Sequence, residues 1–181
     1  MNETLPLALV LASTRPARFC DTVGRWAIEQ VGRRAEFALD VVDLRTPYDV
    51  PGMAARLGAA DAFVIVVPEY NHGYPAPLKQ LIDSMNEPWL AKPVGFVSYG
   101  GLSGGIRAVE QLRQVFIEVH AMTVREQVAF THAREQFDAD GRLLAPERAQ
   151  QAMGAMLTRL AWWARALRDA RRRAPYDRVL S

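Results

Sequence analysis

Three short stretches of this chain carry residue types suited to holding a small ligand. Ser13-Thr14-Arg15-Pro16-Ala17-Arg18 offers two hydroxyls and two guanidiniums. Placed just before a helix amino terminus, with its open N–H groups and positive dipole end, such a loop suits a phosphate. Pro68-Glu69-Tyr70-Asn71-His72-Gly73-Tyr74 brings aromatic surface and backbone amides, which lie well along the edge of a flat heterocycle. Tyr99 to Gly105 has four glycines among its last six residues, so its backbone can come close to a planar ligand. The first two have plainer readings: a Ser/Thr turn with solvated arginines, and a polar turn whose tyrosines cover the core. Neither Gly-x-Gly-x-x-Gly nor a Walker loop occurs in the chain.

The elements that must position these loops are legible. Ala62 to Val67 is a near-continuous apolar run rich in β-branched residues, as in a strand buried on both faces, and Pro68 ends it. Pro6–Ala12, Phe37–Leu44, Lys92–Ser98 and Met122–Val128 read as four further strands. Helical spacing marks about Asp21–Val31, a segment opening near Pro77, Ile106–Val119, and about Pro146–Ala170. Thr46–Gly52, with Pro47 and Pro51, reads as a loop, and Met53–Gly58 holds at most a short helix. Asp138-Ala139-Asp140-Gly141 turns an irregular excursion. Strands alternating with helices imply an α/β fold with a parallel sheet and right-handed crossovers. In the order 2-1-3-4-5 the ends of strands 1 and 3 lie side by side, which gathers all three loops at one edge.

Bulk properties narrow the function classes. The 181 residues fit one domain, 1–181, with an arginine-rich tail from about 168, and the net charge is only +2. Much of the positive charge lies in Arg165, Arg168, Arg171, Arg172, Arg173 and Arg178, so the body of the chain is no general nucleic-acid binder. One cysteine, no apolar run long enough for a bilayer and no secretory leader pattern lead to the expectation of a cytoplasmic protein without membrane association. No cluster of Cys, His and carboxylates stands at metal-ligand spacing. Cys20 reads either as a thiol at a helix amino terminus or as a small residue packed beneath the first loop. Trp162 and Trp163 cannot both face one core. Gly101-Leu102-Ser103-Gly104-Gly105 matches Gly-x-Ser-x-Gly, so Ser103 is a remote hydrolase candidate, with His120 and His132 the histidines downstream.

With these loops in hand, the chain resembles the NADPH-dependent FMN reductase family of flavodoxin-like proteins. The resemblance rests on Ala12-Ser13-Thr14-Arg15-Pro16-Ala17-Arg18, on Pro68-Glu69-Tyr70-Asn71 with Tyr74-Pro75-Ala76-Pro77-Leu78-Lys79 behind it, and on Lys92-Pro93-Val94 leading to Ser98-Tyr99-Gly100-Gly101 and Gly104-Gly105-Ile106-Arg107. Ala12 stands where glycine is usual, and Cys20 where a small hydroxyl residue or asparagine is common. The family implies a flavodoxin-like three-layer sandwich. It implies that Ser13, Arg15, Arg18 and the amides through Phe19 and Cys20 hold an FMN phosphate. Pro68, Glu69, Tyr70 and Asn71 would line the isoalloxazine ring, and Ser98, Tyr99, Gly100 and Gly101 its other edge. His72 and Tyr74 are expected on the substrate side. The implied chemistry is ping-pong: hydride passes from NADPH or NADH to flavin N5, then to a quinone, flavin, azo or similar small acceptor, with no obligatory side-chain acid or base. A homodimer or homotetramer is implied. The rivals are a flavodoxin-like electron carrier, against which the slightly basic charge argues, and a flavin-binding sensor without turnover.

Overall fold

The computed structural model describes residues 3–179. Strands β1 (Leu5–Leu11), β2 (Phe37–Asp43), β3 (Ala62–Pro68), β4 (Pro93–Tyr99) and β5 (Met122–Phe130) form one sheet in the order β2-β1-β3-β4-β5, with every pair parallel. Helices α1 (Cys20–Gly32), α2 (Val50–Gly58), α3 (Ala76–Asp83), α4 (Ile106–Glu118) and α5 (Pro146–Arg173) connect and cover them. The expected order is therefore the one the sheet has. Leu11 pairs with Val66 and Pro68 with Tyr99, so the chain leaves β1, β3 and β4 at neighbouring points.

Side chains alternate across a strand, and here both faces are apolar. Leu5, Leu7, Leu9, Leu11, Val64 and Val66 join α1 and α5 in one core. Ala8, Val10, Phe63, Ile65 and Val67 join α2, α3 and α4 in the other. All seven residues of β3 and of β4 are buried, which explains their unbroken apolar reading.

Three elements depart from the sequence expectation. Helix α2 begins at Val50 rather than Met53, because the Asp49 carboxylate accepts from the Gly52 amide at 2.7 Å and Pro51 sits in the first turn. Strand β5 runs on to Phe130. The arginine-rich segment from about 168 continues α5 to Arg173. There Arg171 reaches Asp61 at 2.6 Å, Arg168 reaches Glu3 and Asp61 at 3.4 and 3.5 Å, and Arg172 reaches Glu3 at 3.0 Å. Those arginines clamp the end of α5 to the starts of β1 and β3, at the pole away from the three loops. Trp163 packs against the first core while Trp162 is exposed.

Lys92, buried before β4, donates to the carbonyls of Gly58 at 2.8 Å and Leu57 at 3.4 Å, closing the carboxyl end of α2. Burial, reinforced by the Arg171 charge and opposed by Asp61, pushes its ammonium down from 10.5 to about 8. Between those values the unfolded chain holds a proton that the folded chain has released, so stability rises with pH across that window. The buried Cys20 thiol, pushed up mainly by burial, acts oppositely above its ordinary 9.0. From pH 7.5 to 9 the urea midpoint of the wild type should therefore rise more steeply than that of Lys92→Met, by at most about 1.4 kcal/mol per pH unit. Parallel midpoint curves for the two proteins would refute this account of Lys92.

Candidate functional site

The carboxyl edge of the sheet gathers four segments rather than three. The first follows β1. Here Ala17 takes a left-handed φ of +47, and the helix it leads into, α1, has no side-chain cap. Among the described residues the amides of Arg15, Ala17, Phe19 and Cys20 make no backbone hydrogen bond. That leaves donors and the dipole end of a thirteen-residue helix facing outward.

The two arginines of this loop behave differently. Arg15 is exposed, and its guanidinium carbon lies 3.4 Å from the centroid of the Tyr70 ring. Arg18 has a fully buried side chain. It donates to the Ser13 carbonyl, to Asp43 at 2.6 and 2.7 Å, and to Asp21 at 2.7 and 2.9 Å. Its fork is thus occupied from within, and it fixes the loop against β2 and α1. Burial alone would raise the Asp43 carboxyl, but Arg18 and the Arg45 amide outweigh that and hold it below the usual carboxylate range. Cys20 is buried in the core, its thiol directed at the Val66 carbonyl, so the packing reading of this residue holds.

The second segment leaves β3 and folds back at once. Tyr70 and Gly73 exchange hydrogen bonds at 2.9 and 3.0 Å around Asn71 and His72, whose φ values are +49 and +71. That is a two-residue turn with both central residues left-handed, a conformation unusual without glycine. The Tyr70 hydroxyl meets the Ser13 hydroxyl at 2.6 Å, pinning this loop to the first. The Glu69 carboxylate is tied to the third segment and to α4. It accepts from Ser103 Oγ at 2.5 Å and from Arg107 at 2.5 and 2.7 Å. Burial favours its neutral form, yet these two partners prevail and keep the carboxyl below its ordinary value. Ser103 thus donates to a carboxylate already neutralised by an arginine and not to a histidine base, an arrangement unlike that of a hydrolytic nucleophile.

The third segment follows β4. Ser98 lies buried behind it and donates to the Gly104 carbonyl at 2.8 Å. Gly104 and Gly105 both take left-handed φ, and Gly105 packs directly on Ser98 and the Tyr99 amide. Tyr99 is 5% exposed and its hydroxyl is buried against the Cys20 thiol. Burial drives that phenol far above its ordinary range, so it stays a neutral donor.

Sequence reading missed the fourth segment, the short 3-10 turn Ala133–Glu135 after β5 with His132 before it. The His132 amide donates to the Gly101 carbonyl at 2.8 Å and the Ala133 amide to Gly100 at 3.1 Å, while Arg134 stands over the Phe19 ring at 5.0 Å. Its one signal is position, since a polar stretch follows the strand that flanks β4.

Together these segments enclose a cavity of about 420 Å3. Of the expected residues, Arg15, Arg18, Phe19, Pro68, Glu69, Tyr70, Tyr99, Gly100 and Gly101 line it. Ser13, Cys20 and Ser98 lie beneath its walls, and Asn71, His72 and Tyr74 lie beyond its rim. The arrangement offers a phosphate seat at one end and a slot between Tyr70 and the glycine backbone at the other, a shape that suits a flat ring on a phosphorylated chain. No group of His, Cys, Asp and Glu among the described residues is placed to hold a metal ion.

Known proteins place this geometry in context. The model of the NADPH-dependent FMN reductase family matches residues 6–135, a span ending at the fourth segment. An NAD(P)H-dependent FMN reductase of Schizosaccharomyces pombe is 34% identical over 135 residues, covering 64% of this chain and 67% of that protein. A quinone reductase of Escherichia coli is 30% identical over 144 residues, covering 70% of this chain and 77% of its own. Among solved structures, a flavoenzyme NAD(P)H:(acceptor) oxidoreductase from Paracoccus denitrificans superposes with a TM-score of 0.72 at 18% identity, over 90% of this chain and 98% of that one. That last likeness speaks to the fold alone.

Proposed function

Because this chain belongs to the NADPH-dependent FMN reductase family, and is on that ground an FMN-dependent NAD(P)H oxidoreductase, we propose that its four-segment cavity seats the FMN and delivers reducing equivalents to a small acceptor of the quinone class. The observation that carries the assignment of the site is the set of open amides at Arg15, Ala17 and Phe19, at the uncapped amino end of α1, opening on the cavity. The residues fit the group. A phosphate dianion satisfies the amides and the dipole. The amide of Gly101, which makes no backbone hydrogen bond, suits the polar edge of a heterocycle.

Bound FMN supplies the hydride relay between the nicotinamide and the acceptor. The chain's own residues bind and orient. Arg18 and the Ser13–Tyr70 contact hold the phosphate loop in register, and Glu69 ties the second loop to the third. Gly100 and Gly101 form a flat wall, and His132 to Glu135 cover the remaining side and exclude water from it. No side chain at the site needs to give or take a proton, consistent with Glu69 and Arg107 being spent on each other. Arg15, stacked and exposed, is free to add charge for the FMN phosphate. We also read the chain as a cytoplasmic homodimer or homotetramer. The exposed Leu102, Ile106 and Ile117 on and before α4 support assembly through that helix, and light scattering of the purified protein checks it.

The test is direct. Purified protein should be yellow, release FMN on denaturation, and oxidise NADPH or NADH with a benzoquinone. Arg15→Ala should weaken FMN binding about tenfold, or 1.4 kcal/mol, without changing the melting temperature of the apoprotein. Protein that neither carries nor takes up FMN would overturn the assignment.

A further inference from the structure

We propose that Arg107, on the first turn of α4, is a positioning residue for the FMN-facing loop and acts through its contact with His72. This rests on the reading of the cavity as the FMN site. The loop after β3 needs an external hold. Its turn places Asn71 and His72 at φ +49 and +71 with no glycine at either position, and such conformations persist where surrounding structure determines them. Helix α4 supplies the hold twice. Gln111 Nε2 donates to the His72 carbonyl at 2.9 Å, and Arg107 Nη1 lies 2.9 Å from His72 Nε2.

The chemistry of that second contact fixes the state of the imidazole. A guanidinium has donors only, so Nε2 must be the bare nitrogen and the ring proton must sit on Nδ1. The other edge of Arg107 holds Glu69, with Nε and Nη2 at 2.7 and 2.5 Å from Oε1, while its own amide donates to Oε2 at 3.2 Å. A single guanidinium therefore spans the base of the loop at Glu69 and its tip at His72. Glu69 is engaged by this guanidinium and by Ser103 together. Removing the acceptor at His72 leaves the Glu69 end of the bridge intact, so the tip of the loop is released and its base is kept.

The experiment measures FMN affinity of apoprotein by flavin fluorescence at pH 8 in the wild type, His72→Gln, His72→Ala, Arg107→Gln and Arg107→Lys. His72→Gln, whose side chain offers Arg107 a neutral acceptor, should stay within about twofold of the wild type, while His72→Ala should weaken binding about fivefold. Arg107→Gln should weaken binding about tenfold. Arg107→Lys, a single point charge, should keep the Glu69 pair and stability but not restore the affinity, which a purely structural role for the charge would do. Wild-type affinity in His72→Ala, or in both Arg107 variants, overturns the proposal while leaving the FMN site standing. Absence of FMN binding in the wild type overturns both.

Discussion

Arg18→Met is expected to raise the FMN dissociation constant about a hundredfold, or 2.7 kcal/mol, although its guanidinium is engaged by the protein's own groups. The reasoning runs through charge and burial. Arg18 is fully buried and is the shared partner of Asp43, Asp21 and the Ser13 carbonyl. Removing the buried guanidinium leaves Asp43, 25% exposed, and Asp21, 42% exposed, with only the solvent-screened Arg45 as partner, at a cost of about 1–3 kcal/mol. The least costly relief is for Asp43 and Asp21 to turn toward water, which carries the loop out of register with α1 and scatters the amides that would hold phosphate. Arg45 lies 3.3 and 3.4 Å from Asp21 and Asp43 but is 44% exposed, so Arg45→Met should change stability by no more than about 0.5 kcal/mol. Titration of both variants with FMN, together with thermal melts, separates the two arginines. Comparable FMN affinities for Arg18→Met and Arg45→Met would refute the positioning role.

Gly105→Ala should be the most disruptive single-methyl change in the chain. A Cβ there would stand 2.7 Å from the Ser98 Cβ and 2.9 Å from the Tyr99 amide nitrogen, on a backbone at φ +88. Neither neighbour is the free end of a flexible side chain, so the start of α4 must move off β4. We expect a loss of about 2–4 kcal/mol, which for a chain of this size lowers the melting temperature by roughly 5–15 °C. FMN affinity should fall in step, because the same displacement drags Ser103 and Arg107 from Glu69 and shifts the glycine wall. Gly154→Ala is the control: it lies in α5, its Cβ would meet nothing within 4 Å, and replacing glycine inside a helix should stabilise by about 0.5–1 kcal/mol. A melting temperature for Gly105→Ala at or above the wild-type value would mean that the packing of Gly105 on Ser98 is not what holds α4 in place.

These two positions also show what the sequence could and could not convey. The buried run of β3, the proline that ends it and the glycines after β4 announce themselves through local composition, so the sheet order and three of the four cavity segments were legible. The fate of Arg18 was not. Nothing nearby distinguishes it from Arg15, and its deciding partner, Asp43, comes from another strand. Arginines 168, 171 and 172 are similar: they read as a charged tail because Glu3 and Asp61, which neutralise them, lie far away in the chain. His132 to Glu135 escaped notice because their contribution is largely main-chain, two amides donating to Gly101 and Gly100, which leaves no residue-type signature. The start of α2 had the right signals in Asp49 and Pro51, but the two prolines of the segment read as a loop.

The arginine clamp has one more consequence, which is topological. Glu3 and Arg172 meet at 3.0 Å, so the described chain leaves from and returns to one pole and runs almost as a closed ring. The cavity lies at the opposite pole, built wholly from connections internal to that ring. Whatever is attached at either end therefore hangs from the far side of the sheet, and a short link joining the ends would leave all four walls of the site uninterrupted.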